Sequence, residues 1–198
     1  MTTAKAQARI GQHGLAEWLV VAITLVALAV GWGLKNYTEN LTAVAEADGI
    51  TLTYPANWVR GKADEGLIKL YDPNAASTVE TSFTVRAEPA AADRQLNFLL
   101  NSHVLRLSQE KAQFAVLATD STTLAGRPAI AVHYAYATTP RAGLAVTAAM
   151  PVVVEALDTL VLEKGQLYAF TFAADAGLYA QKEANRRAIL QSVRFSGS

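Results

Sequence analysis

The side chains able to do chemistry in this chain are few and scattered. Three histidines are present, His13, His103 and His133. A helical zinc pair needs something like His-Glu-x-x-His, and these three are not so spaced. His13 lies in a polar tail. His103 falls on the apolar stripe of a predicted helix, and His133 stands beside Tyr134 in a predicted strand. Both read as packed side chains with a satisfied hydrogen bond. Acids form loose sets, Asp64 with Glu65, and Glu155 with Asp158 and Glu163. Carboxylates three apart on a strand face opposite sides. Glu155 and Asp158 therefore read as solvated loop or edge positions, not as an acid–base pair. The chain has no cysteine, which excludes disulfides, thiolate metal sites, a Cys nucleophile and a lipid-modified N-terminal Cys. No Gly-x-Ser-x-Gly elbow or phosphate-binding glycine loop occurs. No nucleophile can be assembled with a base, so the sequence predicts a non-enzyme with no catalytic, cofactor-binding or metal residues.

The informative feature is apolar. Hydrophobic residues make up 52% of the chain and charged residues 17%. Much of that bias lies between Leu15 and Leu34, LAEWLVVAITLVALAVGWGL, where Glu17 is the only charge. Twenty residues at ~1.5 Å rise span about 30 Å, the hydrocarbon thickness of a bilayer. Lipid offers no partner to an unpaired backbone group, so the expected form is a transmembrane helix. Trp18 and Trp32 stand near its ends and Tyr37 follows, where aromatic rings anchor in the headgroup layer. Ala22, Ala29 and Gly33 fall on one helix face, and Ala27 with Gly31 makes a second small-xxx-small pair. Small residues let a partner helix approach closely, the main drive for association in lipid; alanine and glycine are also frequent in this chain and in membrane helices generally.

Lys5 and Arg9 precede the span, while Lys35, Glu39, Glu46 and Asp48 follow it. The Lys/Arg excess places the N-terminus in the cytoplasm and the main domain outside, on the periplasmic side. The competing reading is a cleaved signal peptide with Ala27-Leu28-Ala29 as its small-residue site; the apolar run is longer than an ordinary signal core of about 7–15 residues. The expected organisation is a cytoplasmic tail at 1–14, a transmembrane helix at 15–34, a continued helix or stalk at 35–48, and an extracytoplasmic domain at 49–198. Seventeen basic and 17 acidic residues balance, with no basic run, so nucleic acid is not an expected partner.

Within the domain, Ile50, Leu52 and Tyr54 alternate with threonines up to Pro55, a short strand. Pro55 ends it and Trp58 packs beneath. Leu67–Tyr71 and Val79–Glu88 read as further strands, the first closed by an Asp72-Pro73-Asn74 turn. Asp93 is a candidate N-cap for a helix carrying Leu96, Leu99, Leu100, His103 and Leu107 as its apolar stripe. Phe114–Leu117 and Ala129–Tyr136 read as strands about a turn at Gly126-Arg-Pro128. Val152–Leu162 and Leu167–Ala173 form a hairpin across Glu163-Lys-Gly165. Asp175 caps a last helix from Leu178 to about Ser192. Strands clustered in hairpins with two helices indicate α+β, an antiparallel sheet flanked by helices.

Gly49-Ile-Thr-Leu-Thr-Tyr54-Pro55-Ala-Asn-Trp58 resembles the opening of the PsbP-like family, a Gly-aromatic-x-aromatic-x-Tyr-Pro-x-x-Trp run. Gly126-Arg-Pro-Ala129 leading to Tyr134 is similar to that family's turn into a central strand. Gly165-Gln-Leu-Tyr168-Ala-Phe170-Thr-Phe172 resembles its late hairpin, and Ile189-Leu-Gln-Ser192-Val193 the close of its last helix. The resemblance covers the domain but not the apolar span. It implies an αβα sandwich and a small non-catalytic subunit or assembly factor that docks on a larger complex, as the extrinsic subunit of photosystem II does. It carries over no ligand or metal residue. The expected function is a membrane-anchored accessory subunit, held by integral subunits of an electron-transfer or photosynthetic complex and by the lipid bilayer. The alternative is a membrane-tethered extracytoplasmic protein that binds a hydrophobic or small polar ligand between sheet and helix.

Overall fold

The computed structural model describes residues 10–39, 41–63, 66–91, 94–139 and 150–196, with the side chains of 10–17 and 36–39 outside the described set. The chain divides into two compact units between Leu41 and Thr42. The first is helix α1, Ile10–Glu39, of 30 residues. Its stretch Trp18–Lys35 has a mean hydropathy of 1.9 and none of it is buried. By length and composition this helix is sufficient to cross a membrane. The Thr24 hydroxyl inside it donates to the Val20 carbonyl at 2.9 Å, so the helix itself satisfies the one hydroxyl of its apolar stretch.

The second unit carries strands β1 (Thr42–Ala47), β2 (Ile50–Pro55), β3 (Val59–Arg60), β4 (Ile68–Asp72) and β5 (Thr81–Pro89), then helix α2 (Leu96–Glu110). Strands β6 (Ala112–Leu124), β7 (Arg127–Thr138), β8 (Val152–Glu163) and β9 (Gln166–Asp175) follow, then helix α3 (Ala176–Ser192) and β10 (Arg194–Phe195). A seven-stranded antiparallel sheet has the order β3-β4-β5-β9-β8-β7-β6, and a small sheet has the order β1-β2-β10. The expected α+β class is the observed one.

Three hairpins close on two-residue turns, Asp48-Gly49, Ala125-Gly126 and Lys164-Gly165, with positive φ at both positions. That geometry matches the right-handed twist of paired strands. It also explains a difference from the sequence reading. Thr42–Ala47, expected as a continued helix or stalk, is β1, paired with β2 from Thr42↔Pro55 to Ala47↔Ile50. The Asp-Gly turn folds it back, and Ala45 is fully buried. The helix continues only to Glu39. Residues 64–65 and the candidate cap Asp93 lie outside the described residues; α2 starts after Gln95, which makes no side-chain cap. Asp175 caps α3 as expected, its Oδ1 accepting from the Gly177 amide at 2.9 Å.

Strand alternation splits the core in two. Phe83, Val85, Phe170, Phe172 and Val161 point to one face, where Ile189, Leu190 and Val193 of α3 and Ile50 and Leu52 of β2 cover them. Val132, Tyr134, Val154, Ala156 and Leu160 point to the other, where Leu107, Leu99, Leu100 and Val104 of α2 pack. Trp58 is buried in the first layer, and its amide donates to the Pro55 carbonyl at 2.9 Å. This is the pinning role expected of Tyr54-Pro55-Trp58.

Candidate functional site

Helix α2 covers only part of its sheet face. It packs over β6, β7 and β8, and beside it a cleft of about 650 Å³ opens over β5 and β9. The cleft floor is made by alternate residues of neighbouring strands, Ser82 and Thr84 of β5 and Thr171 and Ala173 of β9. Its wall is the flank of α2 that carries His103, Arg106 and Glu110.

At its deep end lies a buried chain of polar groups. Asp158, 1% exposed, sits in the middle of β8, which is flanked by β7 and β9. One carboxylate oxygen meets His103 Nε2 at 2.5 Å. The other accepts from the Tyr134 hydroxyl at 3.2 Å. The Arg106 guanidinium donates to His103 Nδ1 at 3.0 Å. Arginine can only donate, so Nδ1 accepts and the ring proton lies on Nε2, facing Asp158. Arg106 also pairs with Glu88 of β5 and reaches toward Glu110 at 3.8 Å. Burial, and next the Asp158 charge, push the Tyr134 hydroxyl well above the ordinary tyrosine range. Tyr136 shifts the same way for the same two reasons.

The reading of Asp158 as a solvated loop or edge residue is thus corrected. It is a core residue of a central strand, at the inward positions shared with Val154, Ala156 and Leu160. Glu155 does face the other side, as expected. There its Oε1 lies 2.7 Å from His133 Nε2, whose ring stacks on Tyr179 at 5.3 Å. Burial raises the Tyr179 hydroxyl to about 12. Glu163 accepts from Nε and Nη2 of Arg127, at 2.6 and 2.9 Å, and that hydrogen bonding holds its carboxyl below the usual range.

Both nitrogens of His103 and both oxygens of Asp158 are engaged within this set. It shapes the cleft. The lining is hydroxyl-rich, with Ser82, Thr84, Thr138 and Thr171, and also carries a Lys69–Glu80 pair at 3.0 Å. Such a lining offers donors and acceptors to a polar ligand. Among the described residues, no three His, Asp or Glu converge as metal ligands.

The singled-out residues of the apolar helix whose side chains are described are all exposed. Trp18 and Trp32 are 74% and 72% exposed; the Tyr37 side chain lies outside the described residues. Ala22, Ala27 and Gly31 line one shallow groove with Val26 and Val30. A methyl group added at Gly31 or Gly33 meets nothing within 4 Å. Ala29 lies on the exposed surface as well.

The fold is shared with solved structures of low sequence identity. One is a protein of unknown function from Pseudomonas aeruginosa described as a putative regulator, 11% identical, covering 79% of this chain and 99% of its own, with TM-score 0.56. Another is the cyanobacterial PsbP of Synechocystis, 13% identical, covering 79% and 94%, with TM-score 0.55. A third is LpqN of Mycobacterium tuberculosis, involved in cell envelope biogenesis, 11% identical, covering 79% and 91%, with TM-score 0.56. No family model and no curated protein sequence matches the chain. At these identities the similarity establishes the fold, an α+β domain of PsbP-like architecture.

Proposed function

We propose that this protein is a non-catalytic, membrane-anchored accessory subunit. Helix α1 lies in the bilayer, with the N-terminus in the cytoplasm, and the PsbP-like domain braces the extracytoplasmic side of a larger membrane complex. The observation that carries this reading is α1 itself, whose large apolar side chains from Trp18 to Leu34 are all exposed. A contiguous apolar surface of that extent requires a cover, and lipid together with neighbouring helices is the cover that fits a span of this length. On this reading Ala22, Ala27, Ala29, Gly31 and Gly33 admit the partner helix, and Trp18, Trp32 and Tyr37 sit at the interfaces. An electron-transfer or photosynthetic complex is the host class the PsbP fold suggests. The test is alkaline carbonate washing of native membranes followed by protease on sealed vesicles. The proposal expects the full-length chain in the pellet, with the domain cut only from the extracytoplasmic side. Release of a shortened chain would instead establish a cleaved signal segment.

A second reading is favoured by the cleft beside α2. In it the tethered domain holds a small polar ligand over Ser82, Thr84 and Thr171. The hydroxyl lining replaces the apolar pocket that a hydrophobic ligand needs.

A further inference from the structure

The two edges of the seven-stranded sheet are built differently. The β3 edge is two residues long and carries Arg60, whose guanidinium donates to the Glu46 carbonyl at 3.3 Å. Short, charged edges resist pairing with another chain. The β6 edge is 13 residues long, with no Lys, Arg or Pro, and Asp120 is its only charge. Ala115 to Thr123 are exposed on both faces of the strand, and no strand pairs with its outer side among the described residues. Its register shifts are confined to Ala112–Ala118, and pairing with β7 is regular from Ala118 to Leu124.

We propose that β6 pairs antiparallel with β6 of a second copy, about a two-fold axis at Ser121, joining two sheets into one. The regular run ATDSTTL is self-complementary about that point. Ser121 then faces its counterpart, Thr119 faces Thr123, and Asp120 faces Thr122. Directly opposed Thr and Ser pairs are favourable, and like charges directly opposed are not. In this register the two Asp120 carboxylates take diagonal positions about 7–8 Å apart and never oppose one another. A register centred on Asp120 itself opposes them. Val116 and Leu117, 44% and 53% exposed, come beside the Ala125-Gly126 turn of the second copy. Space is open there, since a Cβ on Gly126 meets nothing within 4 Å. A C₂ contact of this kind uses one surface twice and closes on itself.

The absence of native cysteine makes the test clean. Directly opposed residues of an antiparallel pair have Cα atoms about 4.5–5.5 Å apart, inside the disulfide range of about 4.4–6.8 Å. Full-length Ser121→Cys, oxidised mildly in membranes, is expected to form a disulfide-linked dimer as the main product. Thr119→Cys alone links poorly, and links well when co-expressed with Thr123→Cys. Thr122→Lys, which places a cation opposite Asp120, raises the dimer fraction several-fold on detergent size exclusion with light scattering. Ser121→Glu, which opposes two carboxylates, abolishes it. Linkage of Ser121→Cys no greater than that of an exposed control, Lys62→Cys, overturns the proposal. So does a disulfide from Ser121→Cys to a different protein, which would make the edge a docking strand for the host.

Discussion

Replacing Asp158 by alanine is the sharpest perturbation of the candidate site. The aspartate is 1% exposed and accepts from His103 at 2.5 Å and Tyr134 at 3.2 Å. Its removal strands two buried donors, each costing about 1–3 kcal/mol. Two such donors sum to about 2–6 kcal/mol, and relief of the carboxylate's own desolvation offsets part of that. For a unit of this size, each kcal/mol lowers the melting temperature by about 2–4 °C, so a drop of roughly 4–20 °C is expected. The assay is thermal unfolding of the full-length chain in detergent, followed by near-ultraviolet circular dichroism, which reads tertiary packing and not α1 helicity. The double variant His103→Leu/Asp158→Leu removes a donor and acceptor together and is expected to cost less than the two single changes summed. A drop below about 2 °C for Asp158→Ala, or strict additivity, would refute the assignment of a buried, coupled network.

Three further outcomes follow from the same geometry. Unfolded tyrosine titrates at about 10 while Tyr134 stays protonated in the fold, so the folded state binds more protons at alkaline pH. Stability then falls as pH rises above that point by up to about 1.4 kcal/mol per unit; urea midpoints should show this slope reduced in Tyr134→Phe. Asp175 caps α3 through Gly177 and also accepts from the Ser77 hydroxyl at 2.7 Å, so Asp175→Ala should cost about 1–2 kcal/mol by urea unfolding. Gly66 has φ +154, and a Cβ there falls 2.8 Å from the Val85 carbonyl oxygen. Gly66→Ala should destabilise the domain by about 1–3 kcal/mol in the same assay.

Much of the fold was legible because its signals are local. Period-2 alternation marked β2, β5 and β9, the Glu163-Lys-Gly165 turn marked the β8–β9 hairpin, and Asp175 marked the start of α3. The strand β1 escapes the sequence reading because Thr42–Ala47 is short and alanine-rich, compatible with helical spacing, and because the boundary between stalk and domain is set inside the Asp48-Gly49 hairpin turn. The length of β6 was missed because nearly all of it is exposed, so burial wrote no alternation into Ala118–Thr123. The candidate site was half legible. His103 stood on an apolar stripe, which implied a buried partner. Asp158 stood in the apolar run VVVEALDTLVLE, two residues from Ala156 and Leu160 on the same face, and that spacing was the available signal. Arg106 and Glu88 gave none, because charged residues on a helix flank and a strand end are usually solvated. That His103 meets Asp158 is set by the placement of α2 on the sheet, a tertiary fact that spacing does not encode.

The most direct test of the central claim is gentle detergent extraction of native membranes, native gel separation, and mass spectrometry of whatever migrates with this chain. Stable co-migration with integral membrane subunits is expected, lost when Ala29 and Gly33 are both changed to Leu while the chain stays in the membrane. Migration of the wild-type chain alone or only with copies of itself, or co-migration unaffected by those changes, would contradict an accessory subunit held by its helix.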